Sequence, residues 1–372
     1  MVGTTRHGKP GTRRLLSLDG GGIRGVIALS VLAELEAQLR AETDDPDLVL
    51  GEWFDYIGGT STGAIIAACL ALGMPVEEVL AFYRDHGAAM FQPARRLQRL
   101  RSRYDDDALA AMLRDVLGAD TTLGSDGLRC LLMIVLRNAT TDSAWPLSSN
   151  PRAMYNDRAL PDCNLDLPLW ELVRASAAAP VYFPAEEITL GADREQVFVD
   201  GAVTPHNNPA IQLFLMATLP AYRLDWPTGE DRLLLVSVGT GSTAFADPEL
   251  RAEDMGLLYN ASAVPRALIH GIATHQDLMC RVLGSCRHGP PLDTEVGPLI
   301  DGGGIVDPGL FSYVRYDGEI STDSLRAAGM EVTRPSDLLG IDNVEHIDEM
   351  VRYGTQVARD QVDPGHLSGF VA

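Results

Sequence analysis

Short apolar runs that end in glycine turns and lead into helical periodicity recur along this chain, and that recurrence restricts the fold more than any other feature. Leu15-Leu16-Ser17-Leu18 runs into Asp19-Gly20-Gly21-Gly22, and over residues 26–40 apolar side chains return at helical spacing through Ile27, Val31, Leu35 and Leu39. Residues 53–57 read as a second strand running into Gly58-Gly59, ahead of a helix-like run over residues 64–72. Helices are also expected over residues 76–90 and 106–117. Between Arg129 and Arg137 lies an unbroken apolar stretch, the pattern of a strand buried on both faces. Residues 196–199 and 233–238 read as two more strands, each stopping at a glycine turn. Strand, turn and helix in this order predict an α/β fold with a mostly parallel sheet covered by helices on both sides. Working groups in such sheets gather at the carboxyl ends of the strands.

The 372 residues are 46% hydrophobic, enough to bury a large core, and their formal charge is −21. That charge argues against nucleic acid as a partner, because phosphates need a basic surface. It also confines any contact with anionic lipid to a local patch. The five cysteines are scattered, without Cys-x-x-Cys spacing, and read as reduced, buried thiols of a cytoplasmic protein. Residues 1–12 read as a flexible, basic lead-in that lacks the apolar stretch of a secretory signal. The apolar run over residues 65–74 is too short to span a bilayer. Residues 13–283 hold the strand–turn–helix pattern. Residues 284–372 form a Gly/Pro-rich extension, expected to pack on the same domain, and carry no motif of their own.

Three segments carry chemistry. Gly59-Thr60-Ser61-Thr62-Gly63 fits the G-x-S-x-G nucleophile elbow, with a strand before it and a helix after it. Such a turn holds Ser61 in a strained conformation at a helix N-terminus, and Gly59 and Gly63 leave room for close strand–helix contact. A helix-capping Ser/Thr loop has the same composition. Asp19-Gly20-Gly21-Gly22-Ile23-Arg24-Gly25 contains G-x-G-x-x-G, which suits either a dinucleotide turn or an oxyanion hole built from the amides of Gly20, Gly21 and Gly22. The dinucleotide reading wants an acidic residue at the end of a second strand, and no convincing strand precedes the acidic cluster at residues 42–47. Arg24 would pin the loop or add positive potential, and Gly25 closes the pattern.

The third segment is Asp200-Gly201-Ala202, delivered to a strand end by Val197-Phe198-Val199. Asp200 is the candidate base for Ser61, with Gly201 keeping its surroundings open. His206 offers a competing Ser–Asp–His triad. It lies only six residues beyond Asp200, whereas the α/β-hydrolases carry those two residues on separate strand ends, so the dyad is the preferred scheme.

Taken together, these three segments resemble the signature motifs of the patatin-like phospholipases. Phe54-Asp55-Tyr56-Ile57, residues 175–184 and Val236-Ser237-Val238-Gly239-Thr240-Gly241 add to the likeness, which covers roughly residues 13–243. The resemblance implies a three-layer α/β/α sandwich related to the α/β-hydrolases. It also implies a Ser61–Asp200 dyad, an oxyanion hole from the glycine amides, and hydrolysis of acyl esters in phospholipids or other lipids, with neither metal nor cofactor. An esterase or thioesterase acting on soluble acyl groups, and a ligand-activated membrane-degrading effector, stay open as alternatives. Arg95, Arg96, Arg99, Arg101 and Arg103, interleaved with Leu97 and Leu100, form either a membrane-surface patch or a solvated face neutralised by Asp105-Asp106-Asp107.

Overall fold

The computed structural model describes residues 11–93, 102–104, 107–191, 194–242, 250–300 and 304–371, without the side chains of residues 258 and 262. All members of the arginine-rich stretch except Arg103 therefore lie outside the described residues.

Among the described residues nine strands form one sheet: β1 (Arg13–Leu18), β2 (Tyr56–Thr60), β3 (Leu131–Asn138), β4 (Ser143–Ser148), β5 (Glu186–Leu190), β6 (Arg194–Asp200), β7 (Leu233–Val238), β8 (Ser285–His288) and β9 (Ser312–Tyr316). Their order is β5-β6-β3-β2-β1-β7-β9-β8, with β4 paired to β3 off this path. The six strands from β3 through β8 are parallel, whereas β4, β5 and β6 add antiparallel pairings at one side. Eleven α-helices accompany them among the described residues. They are α1 (Gly25–Thr43), α2 (Leu50–Trp53), α3 (Thr62–Ala71), α4 (Val76–Met90), α5 (Asp107–Leu117), α6 (Leu169–Ser176), α7 (Ala210–Thr218), α8 (Leu257–Leu283), α9 (Thr322–Ala327), α10 (Pro335–Leu339) and α11 (Ile347–Gln361).

Alternation along the central strands builds the two faces. In β3, Leu132, Ile134 and Leu136 point into the core that holds α1, α3, α4, α5, α6 and α11. Leu131, Met133 and Val135 point into a second core beneath α7 and the end of α8. With a period of two, a strand buried on both faces must be apolar at every position, which accounts for the unbroken run. The three-layer α/β/α sandwich is the observed architecture.

One sequence reading needs correction. The segment read as a strand from residue 53 is a short helix, α2, that ends at Trp53, and the strand begins only at Tyr56. Trp53 and Phe54 are fully buried in the helical-side core, and the Arg14 guanidinium stacks 4.5 Å from the Trp53 ring centroid. Aromatic residues suited to a strand here fill space under a helix instead. Asp200 ends its strand as expected, and β6, whose direction the sequence left open, runs antiparallel to β3.

Candidate active site

β2 delivers Ser61 to the start of α3. The serine has φ 56° and ψ −124°, a region that side chains other than glycine's rarely occupy. Its carbonyl accepts the Ala64 and Ile65 amides at 2.8 and 3.2 Å, so the strained residue is also the first turn of the helix. The Ser61 N–H donates to Ser176 Oγ at 2.9 Å, and that hydroxyl donates to the Val135 carbonyl at 2.6 Å, tying the elbow to the neighbouring strand. The flanking glycines are steric necessities: a Cβ on Gly59 would stand 2.0 Å from the Gly63 carbonyl oxygen, and one on Gly63 2.3 Å from that of Leu18.

Sheet register brings the carboxylate to the serine. Thr60 pairs with Val135 on one side of β3, which sets Ser61 level with Leu136, and Asp200 pairs with Leu136 from the other side. The antiparallel strand thus descends past the end of β3 and stops at the level of the elbow. Gly201 permits the approach, since a Cβ there would lie 2.3 Å from the Val135 oxygen. The Asp200 carboxylate accepts the Ala202 N–H at 2.7 Å, and the Ser61 hydroxyl stands on its other side, near enough to favour the charged form. Only 2% of Asp200 is exposed. Burial raises its pKa from 3.8 to about 7, against the opposing pull of those two donors.

No hydrogen bond between the His206 ring and Ser61 or Asp200 is present among the described residues; its Nδ1 is buried without a hydrogen-bond partner there, and burial lowers its pKa. What its segment gives the site is backbone: the His206 carbonyl accepts the Thr60 hydroxyl at 2.6 Å.

The glycine loop lies against the serine, as a Cβ on Gly20 would come within 3.3 Å of Ser61 Cβ. Its carbonyls are pinned one after another. Thr240 Oγ1 donates to the Gly20 carbonyl at 3.0 Å, and Arg24 Nε donates to the Gly21 carbonyl at 3.3 Å. In a trans peptide the C=O and the following N–H point in opposite directions. Pinning those two oxygens therefore turns the Gly21 and Gly22 amides away from the pins, and neither has an acceptor among the described residues. Gly22 needs its glycine, with φ 61° and a Cβ position 2.3 Å from the Ile341 oxygen. Gly20 is different. Its N–H donates to the Asn207 carbonyl at 3.0 Å, which removes it from the three amides expected as free donors. Arg24 also reaches the Gly241 carbonyl at 2.7 Å, so it is a loop pin rather than an open cation. Gly25 allows close packing on Thr62 and Tyr83, whose hydroxyls hydrogen-bond each other.

Ser176 and Thr240 fall in stretches that the sequence offered only as supporting likeness, and neither they nor Asn207 had a role at the site there; only the approach of distant segments gives each one.

A mostly parallel sheet between two helical layers, with a strained serine and a buried carboxylate at one end of its central strands, defines an α/β/α protein of the three-layer class. The model of the patatin-like phospholipases matches residues 16–214, more than half of the sequence, and the chain belongs to that family. Patatin-17 of Solanum cardiophyllum is 30% identical over 257 residues, and a patatin of Solanum tuberosum 29% over 260. Each match covers 64% of this chain and 63% of the relative, so the likeness spans under two thirds of the curated relatives' length. Looser overall likenesses join it to VipD from Legionella pneumophila and to human GIVD cytosolic phospholipase A2. For VipD the TM-score is 0.38 at 15% identity, over 95% of this chain and 67% of that one. For the human enzyme it is 0.41 at 13%, over 94% and 58%.

Proposed function

We propose that the protein is a serine lipid acyl hydrolase of the phospholipase A or lysophospholipase type, working through a Ser61–Asp200 dyad. The observation that carries this reading is the meeting of a strained elbow serine and a buried carboxylate on either side of Leu136. Ser61 attacks the ester carbonyl as its proton passes to Asp200. The carbonyl oxygen, now anionic, is met by the Gly21 and Gly22 amides at the positive end of α3. Collapse expels the alcohol, which takes the proton from Asp200 and leaves an acyl-serine. Water then attacks the acyl carbon while Asp200 accepts its proton, and the fatty acid departs as that proton passes from Asp200 to the expelled Ser61 oxygen. A carboxylate near pKa 7 is a far better base at neutral pH than one near 4, which makes a histidine unnecessary.

The dyad is tested by fatty acid release from p-nitrophenyl esters and mixed phospholipids. Ser61→Ala and Asp200→Asn are expected to abolish release, and His206→Ala to retain most of it. Full activity in either dyad variant refutes the assignment, and loss in the histidine variant restores the triad.

Peripheral contact with a lipid surface belongs to the same proposal. No helix among the described residues is long and apolar enough to cross a membrane. The first turns of α8 nevertheless expose Leu257, Val264 and Leu268, the first of them to 87%. Between Asp254 and Asp277 the sequence contains Arg266, His270 and His275 but no acidic residue, unusual in a chain of charge −21. Ser61 itself is only 7% exposed. Micelles are expected to raise activity above its level on monomeric ester, and Leu257→Asp with Leu268→Asp to weaken co-sedimentation with phosphatidylglycerol vesicles. Unchanged co-sedimentation removes α8 as the contact.

A further inference from the structure

Arg315 lies in β9, about a hundred residues beyond the end of the family match, in the part of the chain whose sequence carries no motif. It is 5% exposed, and its guanidinium grips the first residue of the glycine loop: Nη1 and Nη2 reach the two carboxylate oxygens of Asp19 at 3.0 and 2.6 Å. Nη1 also donates to Ser237 Oγ at 2.7 Å, and Nη2 to the Asp317 carboxylate at 2.7 Å. A planar fork held by two carboxylates is a rigid part, and a point-charge ammonium cannot reproduce it. Burial works against the guanidinium's charge, and Asp19 and Asp317 more than offset it, raising its pKa well above the ordinary arginine value.

The second carboxylate continues the path. Asp317 Oδ1 accepts the Gly241 N–H at 3.0 Å, the Gly241 carbonyl accepts Arg24 Nη1 at 2.7 Å, and Arg24 Nε donates to the Gly21 carbonyl at 3.3 Å. A Cβ on Gly239 would lie 2.2 Å from the Asp317 carboxyl carbon, so the turn after β7 is moulded to this carboxylate. Arg315 therefore grips the loop at Asp19 and, through Asp317, Gly241 and Arg24, at the peptide whose N–H belongs to Gly22. Thr240, between those two turn glycines, pins the peptide whose N–H belongs to Gly21.

We infer that Arg315 is a positioning residue that holds the Gly21 and Gly22 amides in the orientation needed by the developing oxyanion. The inference rests on the hydrolase reading above. It assigns the third strand-end turn and the C-terminal part of the chain a direct share in transition-state stabilisation, without contact with the substrate. Amides that fix a transition-state charge act through their preorganisation, so loosening the anchor lowers the rate and leaves ground-state binding alone.

The test uses the full chain and its Arg315→Lys and Arg315→Gln variants. Labelling of Ser61 by a fluorophosphonate is followed by intact mass, alongside kcat, KM and the pH profile on a p-nitrophenyl ester. Labelling depends on the same amides polarising the P=O group. In both variants the labelling rate and kcat are expected to fall at least tenfold. KM and the midpoint of the rising pH limb should stay within twofold, because Asp200 is untouched. Should Arg315→Gln fail to fold, Arg315→Lys carries the test. Parent-like labelling in a variant that unfolds at lower temperature overturns the inference and leaves Arg315 a stabilising core residue. A rise in KM with kcat unchanged overturns it as well. No labelling of the parent at Ser61 sinks the hydrolase reading instead, a separable outcome.

Discussion

Asp200→Asn should make the protein inactive and, above neutral pH, more stable. The Asp200 carboxyl ionises near 3.8 in the ordinary state and near 7 in the fold, where burial disfavours its charge. Between those values the folded protein keeps a proton that the unfolded chain gives up. Stability therefore falls as pH climbs through this window, and the loss is complete above pH 7. At about 1.4 kcal/mol per tenfold, the full difference is about 4 kcal/mol, of which roughly 2 kcal/mol accrues between pH 5.5 and 8. Asparagine has nearly the same shape, can still accept the Ala202 N–H, and carries no charge to desolvate. The stability difference between variant and parent, measured by urea unfolding, should grow by about 2 kcal/mol between pH 5.5 and 8. In thermal unfolding that is about 2–3 °C for a chain of this length. Taking the difference between the two proteins cancels every other titrating group. A difference that does not change with pH, or that shrinks as pH rises, refutes the account of a buried carboxylate poised near neutrality. The parent's activity should follow the same ionisation in the opposite sense, rising through pH 7 as the base loses its proton.

Two further predictions concern the elbow. Ser61→Gly should exceed Ser61→Ala in stability by about 1–3 kcal/mol, because glycine tolerates φ 56° whereas alanine keeps the strain, and both should be inactive; equal unfolding midpoints count against strain. Ser176→Ala leaves the Ser61 N–H without its acceptor and should cost about 1–3 kcal/mol on unfolding, with a clear drop in kcat; a silent substitution means the elbow is held without this link.

How much could be read from the chain depended on whether a feature is local. The α/β class followed from strand–turn–helix repeats, and Ser61 from a five-residue pattern between a strand and a helix. Asp200 stood out because an apolar strand leads into it. The direction of β6 was not legible, since it is set by how β5 and β6 pair beside β3 and no residue within the strand encodes it. Gly20 looked the same as Gly21 and Gly22 until the Asn207 carbonyl, far along the chain, took its amide. Trp53 and Phe54 misled for a related reason: bulk and aromaticity suit a strand equally well, and only the tertiary environment placed them under a helix. Arg315 was invisible because its partner Asp19 is 296 residues away.

The sheet order has a practical consequence for anyone trimming this protein. β1, which feeds the glycine loop, lies between β2 and β7, and β7 in turn lies between β1 and β9. Cutting the chain after α7, near the end of the family match, would strip the β7 side from β1 and bare a row of backbone amides and carbonyls on a strand that carries a leucine or more on each face. Such a fragment is a template for sticking to its own copies, and inclusion bodies are its expected fate rather than a minimal enzyme.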